Sequence, residues 1–148
     1  MLCAKYKGAI IMVKLIIGKK GSGKTKKLID AVNTAKEQST GNVVCVEKGP
    51  ALTYDIHNSV RLINTETYGI AGYDMFYGLL SGICASNFDV THVFVDATLR
   101  IGTRDYAELT EFIKKVKTLG EETETEFLFT VSCDEADLPA EIFEYATK

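Results

Sequence analysis

Apolar and polar positions along this chain follow two rhythms, and the chain switches between them regularly. Val13-Lys14-Leu15-Ile16-Ile17 is a short, nearly continuous apolar run, the pattern of a strand buried on both faces. From Lys24 to Glu37, Leu28, Ile29, Val32 and Ala35 recur at helical spacing, and Gly41 is the expected C-terminal glycine. Val43 to Val46 is a second apolar strand, ending at Glu47. The stretch Ala51 to Tyr68 reads as loop, with a short strand at Arg61–Asn64. A helix is predicted from Tyr73 to Ala85, with Met75, Phe76, Leu79, Leu80 and Ile83 on its core face. Thr91 to Val95 is a strand ending at Asp96. A further helix runs from Asp105 to Leu119, with Gly120 just past its end and the acidic run Glu121 to Glu126 as a solvated turn. Phe127 to Val131 is the last strand, and Pro139 opens a short final helix.

Strands alternating with helices predict an α/β fold, a three-layer α/β/α sandwich around a mainly parallel sheet. Its ligand belongs outside the carboxyl ends of the strands. No repeat, low-complexity tract or linker divides the chain, so residues 12–148 are expected to form a single domain. Residues 1–11 are expected to be a non-essential N-terminal extension, because Met12 directly precedes the first strand.

Composition narrows the classes. The chain has 148 residues, 46% apolar and 25% charged, an ordinary make-up for a soluble domain with a substantial core. A net charge of −3 argues against bulk nucleic-acid binding, which calls for a basic face. Cys3, Cys45, Cys84 and Cys133 are dispersed, with no C-x-x-C pair, so free thiols in a reducing cytoplasm are expected. No run approaches the ~20 apolar residues needed to span a bilayer. The segment Ala9 to Ile17 is broken by Lys14, unlike a signal peptide.

The chemistry concentrates in Gly18 to Thr25, GKKGSGKT, which satisfies G-x-x-x-x-G-K-[ST] between a strand and a helix. That arrangement is the phosphate cradle of P-loop nucleotide-binding proteins. Gly18, Gly21 and Gly23 permit a tight loop whose N–H groups point at phosphates. Lys19, Lys20 and Ser22 complete the loop, and the next helix adds the positive end of its dipole. Lys24 is expected on the outer phosphates, and the Thr25 hydroxyl on Mg²⁺. Val93-Phe94-Val95-Asp96 resembles a Walker B strand, whose carboxylate would join Thr25 in the Mg²⁺ shell. An Asp at a strand end also serves to cap the next turn. His57 and His92 have no ligand-spaced partners and are expected to be structural.

Many P-loop ATPases place a Glu directly after that Asp to orient the attacking water; here the position holds Ala97. Glu47 is the substitute. In RecA-like folds the catalytic Glu occupies a comparable strand end, at a similar separation from the loop lysine. By that resemblance Glu47 polarises the water; the alternative is an exposed Glu opening a loop. Ser132, at the end of Thr130-Val131-Ser132, corresponds to a sensor position that contacts the γ-phosphate or the water, although a hydroxyl there also serves as a plain core group. Arg100 and Arg104, on an expected loop after Asp96, are candidates to supply charge to the transferring phosphoryl. The sequence leaves two strand orders open: Phe127–Val131 between Val13–Ile17 and Thr91–Val95, as in RecA-like ATPases, or those two strands as neighbours, as in kinases and GTPases, where Glu47 loses its rationale.

Four stretches, IIGKKGSGKTKKLID, VVCVEKG, FVDATLRIG and FLFTVSCDEADLP, together resemble the short, stand-alone bacterial P-loop proteins labelled as twitching-motility (pilus retraction) ATPases. The likeness covers nearly everything from Met12 onward and implies ATP binding. Type II thymidine kinases share the general order of elements but carry an Asp-Glu pair and a cysteine zinc module, both missing here. The expected function is a slow Mg²⁺-dependent ATPase, possible homo-oligomerisation or an unknown protein partner included. A small-molecule kinase and a nucleotide-responsive binding module without turnover are the alternatives. The absence of an N-K-x-D motif favours ATP over GTP.

Overall fold

The computed structural model describes residues 11–147. Along the chain run β1 (Val13–Gly18), α1 (Lys24–Gln38), β2 (Asn42–Glu47), β3 (Arg61–Asn64) and α2 (Tyr73–Ser86). They are followed by β4 (Val90–Val95), α3 (Thr98–Ile101), α4 (Tyr106–Thr123), β5 (Glu126–Ser132) and α5 (Ala140–Phe143). Every expected strand and long helix is present. The short run Arg61–Asn64 is a strand because it pairs with β2, from Val44↔Arg61 to Glu47↔Asn64.

The five strands form one all-parallel sheet in the order β1-β5-β4-β2-β3. Thus β5 lies between β1 and β4, the first of the two orders left open by the sequence. Pleating sends alternate residues to opposite faces. Val44, Val46, Val95, Phe129 and Val131 join the core formed with α2 and α4. There Phe76 stacks on Phe112 with centroids 4.7 Å apart, and Phe112 meets Phe129 edge-on at 5.7 Å. Val43, Cys45 and Phe94 face the other way, packing with Leu28 and Val32 of α1. The loop between β2 and β3 adds Leu52, Ile56 and Val60 to this second core, so it is a structural cover and not a free excursion.

Two glycines act differently from expectation. Gly41 does not end α1 in a left-handed turn; the C-cap is Ser39, in an extended conformation. A Cβ on Gly41 would sit 2.4 Å from the Asp89 carbonyl oxygen and 2.4 Å from Thr91 Cγ2. Gly41 is therefore a point of close backbone approach. Gly120 lies inside α4, which runs four residues beyond Leu119 to Thr123. A Cβ there would meet the Thr125 carbonyl at 2.7 Å. The acidic run is accordingly not one solvated turn: Glu121 and Glu122 belong to α4, Glu124 is its left-handed C-cap and Glu126 begins β5. Glu121 is anchored to the helix by Lys117 at 3.0 Å.

The expected N-terminal extension lies outside the described residues apart from exposed Ile11. Met12 is part of the fold: it is buried, and its carbonyl accepts the Phe127 N–H at 2.8 Å. At the other end, the Leu15 N–H donates to the Tyr145 carbonyl and the Thr147 N–H donates to the Leu15 carbonyl, both at 2.8 Å. The last described residues thus pair with the outer edge of β1. Cys45, Cys84 and Cys133 are free, buried thiols, while Cys3 lies outside the described residues. Among the described residues no helix is long and apolar enough to cross a membrane.

Glycine substitutions separate close approach from mere helix placement. Gly41→Ala is expected to destabilise the fold by about 1–3 kcal/mol, because backbone at Asp89 has to move. Gly82, exposed in α2 with nothing within 4 Å of its added Cβ, behaves oppositely. Gly82→Ala is expected to gain about 0.5–1 kcal/mol. Urea denaturation of the two variants beside the parent chain checks both signs.

Candidate functional site

The carboxyl edge of the sheet carries every site residue picked out from the sequence. β1 ends at Gly18, and the chain turns through residues 19–23 into α1. Gly21 and Gly23 take φ +85° and +87°, conformations that cost an L side chain roughly 1 kcal/mol or more. A Cβ on Gly18 would lie 2.3 Å from Ser22 Oγ, so the exposed Ser22 side chain would have to turn away. The loop closes through the Ser22 N–H donating to the Lys19 carbonyl at 3.1 Å.

α1 begins with no capping side chain and no acidic residue in its first turn. Its leading amides are therefore left for an anion. Lys24, Lys26 and Lys27 crowd that end although the helix dipole disfavours cations there. Lys26 has Asp30 at 3.7 Å. Lys24 is only 8% exposed, and its ammonium donates to the neutral Lys19 carbonyl at 3.1 Å. Among the described residues no carboxylate pairs with it. A nearly buried cation with a neutral partner is costly, and a phosphate in the loop relieves that cost.

Asp96 follows β4 by one residue and comes to the start of α1, 71 positions from Thr25 in sequence. The Thr25 hydroxyl donates to Asp96 Oδ2 at 3.4 Å, and the Thr130 hydroxyl donates to Asp96 Oδ1 at 2.5 Å. The turn after Asp96 has Ala97 as the N-cap of α3, with no side-chain cap, so Asp96 faces the loop instead of capping. An alcohol and a carboxylate on one side of a polar cleft are hard oxygen donors. They fit Mg²⁺, which uses one or two protein oxygens beside phosphate oxygens and water. Among the described residues no cluster of three or more His, Cys, Asp or Glu has ligand geometry.

Glu47 ends β2 on the same face as Cys45 and is 3% exposed, so it is not an exposed residue opening a loop. Its carboxylate accepts the Leu52 N–H, at 3.1 Å through Oε1 and 3.3 Å through Oε2. Burial pushes the Glu47 pKa above the ordinary carboxylate range; the Leu52 N–H opposes that shift and the Asp96 charge adds to it. The buried Cys45 thiol is likewise pushed up, by burial first and then by Glu47 and Asp96.

A cleft of about 850 Å³ opens over the loop, lined by Lys19, Lys20, Gly21, Lys24, Thr25, Asp96 and Ser132 among others. Glu47 is not on its wall. Arg100 and Arg104 both are, but Arg100 belongs to α3 and not to a loop. Arg104 donates to the Ser132 carbonyl at 3.2 Å, and Lys19 pairs with Asp134 at 3.3 Å across the mouth. The sequence reading did not single out Thr130 or Tyr106. Tyr106 lines the cleft from the start of α4, and burial raises its pKa. His92 is structural as expected, held by Glu126 at 3.3 Å and stacked on Phe94.

No protein-family model matches this chain, and no curated protein matches it.

Glu47→Gln removes a buried charge while keeping an acceptor for the Leu52 N–H. The folded-state pKa of Glu47 lies above its unfolded value, so ionising it costs stability. That cost is absent below the ordinary carboxylate range and grows as pH rises through the folded value. Glu47→Gln is expected to melt above the parent chain near neutral pH, with the gap closing toward about pH 4. Melting curves across that range check the trend; a gap that widens on acidification contradicts it.

Proposed function

We propose that this chain is a P-loop protein of RecA-like type that binds ATP with Mg²⁺ and hydrolyses it slowly to ADP and phosphate. The observation that carries the reading is the convergence of Thr25 and Asp96 beside an uncapped helix end and a nearly buried lysine without a carboxylate partner. The position of β5 between β1 and β4 supports the RecA-like assignment.

Lys24 and the loop amides hold the negative charge of the outer phosphates and gain strength as it spreads in the transition state. Thr25 and Asp96 hold Mg²⁺, which supplies charge neutralisation on the phosphate oxygens. Glu47 accepts a proton from the attacking water, which requires its carboxylate to leave the Leu52 N–H and turn toward the cleft. Arg100 and Arg104 add positive charge on the cleft wall. Ser132 contacts the γ-phosphate or the water from the end of β5.

A second reading, a nucleotide-responsive module without turnover, is favoured by one observation. Glu47 is bonded to Leu52 and lies off the cleft wall, and Ala97 fills the usual site of the water-orienting acid. ATP turnover measured with Mg²⁺ over a wide range of protein concentration separates the two. Hydrolysis is expected, with the rate per molecule rising with concentration if assembly completes the site. Lys24→Ala is expected to weaken ATP binding about 10- to 100-fold, the worth of a charge-assisted contact. Glu47→Gln is expected to keep binding within about threefold and lose about 100-fold in turnover. An unchanged rate in Glu47→Gln removes Glu47 from the chemistry. A parent chain that binds no ATP removes the reading altogether.

A further inference from the structure

We infer that Thr130 is the positioning residue of the cation site: its hydroxyl fixes the Asp96 carboxylate and so sets how tightly the site takes a divalent cation. The inference rests on the nucleotide reading above and deepens it.

Register and pleat bring the two residues together. Val95 pairs with Phe129 across β4 and β5, so the next residue on each strand, Asp96 and Thr130, lie side by side. Phe129 and Val131 belong to the core under α2 and α4, which turns Thr130 between them toward the α1 face. Asp96 follows Phe94 on that same face, where Thr25 stands at the start of α1. Thr130 is 1% exposed, so its hydroxyl is a buried polar group that must be satisfied by protein.

It is satisfied twice. The Thr130 oxygen accepts the Ala97 N–H at 3.0 Å, and its own hydrogen goes to Asp96 Oδ1 at 2.5 Å. An ionised carboxylate only accepts, so the hydrogen in this contact is Thr130's, and Oδ2 is left facing Thr25. The same bond steadies the corner after β4. Ala97 holds φ 60° and ψ 45°, a left-handed conformation unusual for a residue with a Cβ. One hydroxyl thus fixes both the carboxylate and the backbone that carries it. Partners of this kind typically contribute about 10- to 100-fold to metal affinity.

The test compares Thr130→Ser, which keeps the hydroxyl, with Thr130→Ala, which differs from it by one oxygen atom. Thr130→Val serves as a variant of matching shape. Binding of a fluorescent ATP analogue is titrated in EDTA and over a Mg²⁺ series, with melting curves to establish folding. In EDTA all variants are expected to bind as the parent does. With Mg²⁺, Thr130→Ala and Thr130→Val are expected to need about tenfold more cation for half-maximal effect, and Thr130→Ser no more than about threefold. Thr130→Ala and Thr130→Ser with the same Mg²⁺ dependence would overturn the inference, as would equal losses with and without cation. If Thr130→Val does not fold, the serine–alanine pair decides alone. A parent chain that binds no nucleotide in either condition overturns the nucleotide reading and this inference with it; normal parent binding that Thr130→Ala leaves unchanged overturns this inference only.

Discussion

An all-parallel sheet can be built only if each crossover carries the chain back to where it started, so every strand finishes at the same edge. The rest of this molecule depends on that constraint. It brings Gly18, Ser132, Asp96 and Glu47 to one line, although they are scattered from the first to the last third of the sequence. Pairing fixes their spacing along the edge, and the pleat fixes which face each side chain takes. Asp96, Thr130 and Glu47 all fall on the α1 face because their neighbours Val95, Phe129, Val131 and Val46 are claimed by the opposite core. The large aromatic core under α2 and α4 therefore does more than stabilise: by taking one parity of residues, it turns the other toward the α1 face.

Electrostatically the loop is built against its own stability. Helix α1 opens with cations where the dipole favours anions, has no cap, and buries Lys24 against a carbonyl. Across the cleft, Lys19 pairs with Asp134. An exposed pair of that kind is worth little and is easily exchanged. An anion held in the loop would offset each of these costs.

What the sequence made legible and what it did not divide along physical lines. The periodicity of apolar residues located every strand and long helix, because burial of whole faces writes itself into the chain at fixed spacing. The placement of the GKKGSGKT loop between β1 and α1, and of Asp96 just past β4, was legible because both follow regular apolar runs. Gly41 and Gly120 were misplaced because both sit near helix ends, where a left-handed cap is the usual reason for glycine. Here the reason is close backbone, at Asp89 from far along the chain for Gly41 and at Thr125 just past the end of α4 for Gly120. α4 ran on through an acidic stretch because Lys117 anchors Glu121 and the C-cap falls on Glu124. Thr130 looked like one more polar residue in a strand. Its role needs the β4–β5 register, and the left-handed turn at Ala97 gives no signal in composition at all. Glu47 was placed at the correct strand end, but its burial follows from Leu52 folding back over it, a contact between the loop and the second core.

The order of the strands also has a consequence for how the chain comes together over time. β1 leads into the glycine-rich loop and precedes the other described strands in the chain. Its sheet neighbours are β5 on one side and residues 145–147 on the other. Throughout translation of β2, β3 and β4, then, β1 has no strand to pair with, and those three are able to assemble among themselves. Closure waits for β5 to enter between β1 and β4, and for the final residues to cover the Leu15 edge. Contacts between such distant parts of the chain are slow to form, and an unpaired apolar strand is the species that associates with its own kind in the interval. The glycine-rich loop is thus made well before the strand that secures β1 beside β4.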